Sequence, residues 1–154
     1  MHCSLGVCQS GEPIHALPQK EIDGCKARGV FAHGLVLQRL AGRSKAEQES
    51  ALADKLHPVR IAFGNQSEPA KLLEQIYATP TAELLDFAGD FSAQCIVSLA
   101  KGNVDHARAK QCFTENYQPF MLQFLGPSDA RPAGPLIRAD AANEKYQACI
   151  KGLI

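Results

Sequence analysis

Apolar positions recur every three or four residues along most of this chain, and they alternate only once, briefly. The clearest run is Pro80–Gly102. Leu84, Phe87, Ala88, Phe91, Cys95 and Leu99 share one helical face there. Thr79 is placed to cap this helix, Pro80 suits its first position, and Gly102 can end it in a left-handed turn. A second long helix is predicted from Pro18 to about Leu40. Its stripe is Ile22, Cys25, Gly29, Ala32, Val36 and Leu40, flanked by Phe31 and Leu35. Gly24, Gly29 and Gly34 interrupt it, each costing about 1 kcal/mol relative to alanine, so close packing of a neighbour is expected at these positions. Gly42 ends it.

Shorter elements follow the same logic. Ser44-Lys-Ala-Glu47 is a capping box opening a helix through Ala51, Leu52 and Leu56 that stops before Pro58. Val59, Ile61 and Phe63 alternate, which predicts an extended link to Gly64. Ser67 is expected to cap a helix carrying Leu72, Leu73, Ile76 and Tyr77. Asn103 is expected to cap one carrying Val104, Ala107, Cys112 and Phe113, with a restart at Pro119. Residues 126–135 are a Gly/Pro loop, and Asp140 is placed to cap a last helix, Ala141–Lys151. The expectation is an all-α, single-domain bundle of five or six helices over residues 18–154, preceded by an irregular segment, residues 1–17.

Composition changes this picture little, except for cysteine. Lys plus Arg and Asp plus Glu both number 16, so no electrostatic footprint for nucleic acid exists. No apolar run approaches the ~20 residues of a membrane span. The six scattered cysteines, Cys3, Cys8, Cys25, Cys95, Cys112 and Cys149, suit an oxidising compartment. Reduced, buried thiols are the alternative. Residues 1–8 have no basic start and no apolar segment of about 7–15 residues. An exported protein would therefore correspond here to a mature form with an added Met1.

Six cysteines allow many connectivities, and the sequence does not choose among them. Geometry favours Cys25 with Cys95, both on apolar faces of the two strongest helices. Cys112 would then bond Cys149, and Cys3 would bond Cys8.

Between Cys25 and Cys95 a further order of features is present. Cys25, Ala32 and Arg39 lie on the first helix, and Arg39, Gly42, Ser44 and Glu47 form R-x-x-G-x-S-x-x-E. Ile76, Tyr77, Pro80, Phe91 and Cys95 follow. This stretch resembles a loose group of small exported bacterial helical proteins in which a cysteine of the first helix pairs with one of a later helix. The resemblance implies a helical fold and an exported compartment. It implies no activity, because the group shares none.

Candidate chemistry is sparse. His2, Cys3, Cys8 and His15 do not have the compact paired spacing of a structural zinc site. His33, His57 and His106 could serve a cysteine nucleophile. Their plainer readings are a packed histidine, a helix-end imidazole beside Pro58, and a solvated side chain. Asp86 and Asp90, with Glu83, fall on the polar side of the central helix. Lys101, Arg108 and Lys110 are interspersed with Asp105 and make no basic patch. No phosphate loop, nucleophile elbow or zinc-protease helix is present. Phe120, Met121, Phe124 and Leu125 are the candidate partner-contact residues, since aromatic and Met side chains are favoured at interfaces. The competing reading is that they close the core.

The expectation is a periplasmic or secreted helical protein acting by binding a protein partner, as an inhibitor, immunity factor or secretion or envelope accessory factor would. No metal or cofactor is expected. The alternatives are a thiol- or metal-dependent enzyme and a carrier of an apolar ligand.

Overall fold

The computed structural model describes residues 17–125 and 131–153. Among these the chain is all helical, with eight α-helices and no strand. They are α1 (Gln19–Leu40), α2 (Lys45–Leu52), α3 (Pro58–Phe63), α4 (Ser67–Ala78), α5 (Leu84–Leu99), α6 (His106–Asn116), α7 (Gln118–Leu125) and α8 (Ala139–Gly152). The expected segment before Pro18, with Cys3 and Cys8, lies outside the described residues apart from Leu17.

The helix ends follow local chemistry. Gly42 takes φ +98°, and Arg43 N–H and Gly42 N–H donate to Gln38 O and Arg39 O, closing α1 in a Schellman motif. The capping box forms as expected: Glu47 N–H donates to Ser44 Oγ at 3.1 Å, and Ser44 N–H to Glu47 Oε1 at 2.9 Å. Three other expected caps move. Asn65, not Ser67, accepts from the Glu68 amide. Asp105, not Asn103, accepts from the Arg108 amide. Thr79 does not cap; its hydroxyl donates back to Gln75 O, and a 3-10 turn (Thr81–Glu83) precedes α5. The last helix begins at Ala139, two residues earlier than an Asp140 cap would allow.

Two corrections concern faces. The extended link over Val59–Phe63 is a short helix, α3. Pro58 sits at its first position, the His57 ring Nδ1 accepts from Val59 N–H, and Gly64 ends it at φ +75°. Val59 and Phe63 are buried while Ile61 is exposed. Residues four apart satisfy a period of two and a period of 3.6 alike, so a run this short does not separate strand from helix. On α5 the buried line is Leu84, Ala88, Ser92 and Ile96 with Gly89 and Ala93, while Phe87, Phe91, Cys95 and Leu99 lie at its margin. Small side chains occupy the line because α1 and α6 approach most closely there. Among the described residues, only Gly29 of the three α1 glycines has a neighbour within 4 Å of an added Cβ.

Among the described residues the core has two apolar clusters. Phe113, Tyr117 and Tyr146 centre one, with Ile22, Leu37, Ile96 and Ile150. Leu72, Leu73, Ile76 and Phe63 centre the other, with Ala32, Val36, Leu84 and Ala88. Helices α1 and α5 contribute to both, and Leu40 and Leu85 touch both. These two helices form the frame on which the others are laid.

Candidate functional site

One cross-link fixes that frame, and a second ties two of the helices laid on it. Cys25 and Cys95 bond α1 to α5 with Cα atoms 5.5 Å apart, and Cys112 and Cys149 bond α6 to α8 with Cα atoms 5.6 Å apart. The loops they close, 70 and 37 residues in sequence separation, follow one another along the chain. In the chain-entropy model each stabilises by about 4 kcal/mol. None of these four cysteines carries a free thiol.

The histidines and carboxylates are also engaged. His33 is fully buried, stacked on Phe113 with centroids 4.3 Å apart, and its Nδ1 lies 2.9 Å from Gly29 O. As the neutral tautomer donating from Nδ1, it leaves Nε2 without a partner. Burial pushes its pKa down to about 4. His57 caps α3. His106 Nε2 lies 3.0 Å from Asp90 Oδ1, and Lys110 bonds both Asp86 and Asp90. Burial works against ionisation of Asp90, but the hydrogen bonds from His106 and Lys110 outweigh it and hold its carboxyl low. Asp86 and Asp90, expected to be merely solvated, therefore clamp α6 onto α5. Among the described residues no group of three or more His, Cys, Asp or Glu side chains is placed to hold a metal ion. His2 and His15 lie outside the described residues.

The arrangement that remains open is a groove along α1. Its floor is Val30, Phe31, Gly34, Leu35 and Gln38, spaced so that they share one side of the helix for two turns, or about 12 Å. His57, Pro58 and Val59 of the α3 start form one wall, and Met121 and Leu125 of α7 form the other. Its volume is about 310 Å³, and no lysine, arginine, aspartate or glutamate lines it. Among the described residues five large apolar side chains are exposed; Leu125 lines the groove, and Leu56, Ile61 and Phe124 lie within three residues of lining residues along the chain. Leu56 (79% exposed) precedes His57, and Ile61 (65%) lies one turn beyond Pro58. Phe124 (56%) and Leu125 (51%) end the opposite wall. A second cleft, beside Cys95, is lined by Arg28, Phe91, Gln94 and Ser98, but Arg28 is already paired with Glu68.

The four candidate contact residues divide accordingly. Met121 is buried and reaches the groove only as wall. Phe120 is half-buried between the rings of Tyr117 and Phe124. Phe124 and Leu125 face out. Sequence reasoning set Phe31 and Leu35 beside the α1 stripe and Gly34 within the helix, but did not single out Val30 or Gln38 or read these residues as a floor. Val30 and Phe31 widen the apolar arc of α1 beyond the core stripe, and that extra width was the available signal.

No family model, no curated protein and no solved structure matches this chain. No described helix is long and apolar enough to cross a membrane.

Proposed function

We propose that this is an exported helical protein, periplasmic or secreted, that acts by binding a protein partner through the α1–α3–α7 groove. One observation carries the reading: a trough lined by no lysine, arginine, aspartate or glutamate has the half-exposed Leu125 in its wall, and the exposed Phe124 and Leu56 are chain neighbours of its lining residues. The disulfides support the compartment, since such bonds persist outside the reducing cytosol. They also support a binding role, because a cross-linked frame presents its surface with little ordering left to do on association. An inhibitor, an immunity factor and an accessory factor of an envelope or secretion system all work in this way.

The test is affinity capture from an envelope extract with the oxidised protein, run beside Leu125→Asp. A protein retained by the wild type and lost with the variant supports the reading. Equal retention by both, or co-purified lipid in the groove by mass spectrometry, overturns it, the latter in favour of an apolar-ligand carrier.

A further inference from the structure

Two disulfide-stapled helix pairs meet along an aromatic seam, and a histidine is buried in it. Cys25–Cys95 holds α1 to α5, and Cys112–Cys149 holds α6 to α8. His33 of α1, fully buried, stacks on Phe113 of α6, and Phe113 in turn meets Tyr117 and Tyr146. Among the described residues no cross-link joins one pair to the other. We infer that this seam is an acid-operated joint: a proton taken up at His33 Nε2 drives the α6–α8 pair away from α1 and bares Phe113, Tyr117 and Tyr146, while each disulfide keeps its own pair together.

Geometry fixes the atom that takes the proton. Nδ1 already donates to Gly29 O at 2.9 Å, so the neutral ring offers only Nε2. Nε2 is buried and has no hydrogen-bond partner among the described residues. Protonation there creates a positive charge and a buried N–H without an acceptor, and both are costly in an apolar interior. The Phe113 face attracts an imidazolium, but a ring N–H lies in the plane of its own ring and cannot point at a ring stacked above it. Burial accordingly holds the His33 pKa down to about 4. Lifting α6 takes Phe113 off the ring and admits water to it, and no helix has to unwind.

No charged group of the packed helices answers the new charge. Among the described residues no Asp, Glu, Lys or Arg is buried. On α5, Asp86 and Asp90 lie at the surface and pair with Lys110 and His106 of α6. On α1, Asp23 accepts from Gln19 and from Gln147 of α8, Lys26 donates to Asn143 of α8, and Arg28 pairs with Glu68 of α4. On α3, His57 accepts from Val59 N–H and Arg60 donates to Leu52 O. Helix α7 carries no titratable side chain. The phenols of Tyr117 and Tyr146 stay neutral, since burial raises both pKa values. An imidazolium at His106 would pair with Asp90 and hold α6 on α5, so that histidine opposes the movement His33 drives.

The experiment is hydrogen exchange of the backbone amides in the full oxidised chain at about pH 6.5, 5.5 and 4.5, each rate corrected for its intrinsic pH dependence. From the folded and ordinary pKa values of His33, an opening that frees its ring is favoured roughly 50- to 100-fold more at pH 4.5 than at pH 6.5. Corrected exchange in α6 and α8 should rise by that factor. In α4, which belongs to the other apolar cluster, it should stay level. His33→Gln and His33→Leu should each abolish the rise, and His106→Gln should leave it in place. An equal rise in α4 means global unfolding in place of a joint and overturns the inference. The same follows from no rise in α6 and α8, from a rise that survives both His33 substitutions, or from one lost with His106→Gln. Far-UV circular dichroism establishes that each variant folds. The comparison of α6 and α8 with α4 needs no variant, so it decides the matter even where a His33 substitution does not fold.

Discussion

Gly29 on α1 and Ser92 on α5 leave no room between them for a side chain. A Cβ on Gly29 would lie 2.5 Å from Ser92 Oγ, 3.1 Å from Ser92 Cβ and 3.3 Å from Phe113 Cε2. The Cys25–Cys95 bond sits about one turn away along both helices, so the closest approach of the frame and its covalent staple coincide. Gly29→Ala should destabilise the protein by about 1–2 kcal/mol, the helix-propensity gain being outweighed by overpacking and by displacement of the Ser92 hydroxyl from Ala88 O. Ser92→Gly in the same molecule should restore most of the loss. Urea titrations of the two variants check it.

His33 predicts a pH dependence. Its folded pKa, about 4, lies below the ordinary value of 6.5 because burial disfavours the imidazolium. Above pH 6.5 neither state binds the proton and stability is unaffected. Between 6.5 and 4 the unfolded chain binds it and the folded chain does not, so stability is lost as pH falls, by about 3 kcal/mol in total. The carboxyls of Glu47, Glu68, Asp90 and Asp140 are held low, so their contribution is lost only below about pH 4.5. His33→Leu should therefore flatten the slope of unfolding free energy between pH 6.5 and 4.5. An unchanged slope would refute the assignment.

The two disulfides should act independently, because their loops do not overlap. Removing either pair by double Cys→Ala substitution should lower stability by about 2–5 kcal/mol. Digestion without reduction should release one cross-linked peptide pair joining Cys25 to Cys95 and another joining Cys112 to Cys149. Any other pairing among these four would contradict the fold.

Arg39 ties the end of α4 to α1. Its guanidinium donates to Ile76 O and Thr79 O and lies over the Tyr77 ring, 5.1 Å from the centroid. Arg39→Lys keeps the charge but loses the flat fork that reaches two carbonyls and stacks. It should cost about 1–2 kcal/mol in thermal unfolding, most of the effect of Arg39→Ala.

Lys101 holds the left-handed position at the end of α5, at φ +54°, with its amide donating to Ser98 O. Gly102 beside it also has positive φ, at +80°. Lys101→Gly relieves the steric opposition of a side chain there and should raise stability by about 0.5–1 kcal/mol. A lowered melting temperature would show that the lysine side chain contributes packing of greater worth.

What could be read from residues alone was whatever rests on neighbours in the chain. The 3.6-residue recurrence along α1, α4 and α5, the Ser44–Glu47 box, and the glycine stop after α1 depend on spacing within a few residues. Backbone sterics and local hydrogen bonds decide such features. The cysteines on apolar faces were legible for the same reason, and their favoured partners followed from which helices had to be buried together. The tertiary structure alone decided the rest. It chose which of two overlapping arcs of α5 faces inward, because the small residues there matter only once α1 and α6 arrive. It turned Asp86 and Asp90 from a solvated face into a clamp by bringing Lys110 and His106 across. And among the described residues it filled the space at Gly29 while placing nothing within 4 Å of an added Cβ at Gly34, a distinction between identical residues five positions apart that only long-range packing can draw.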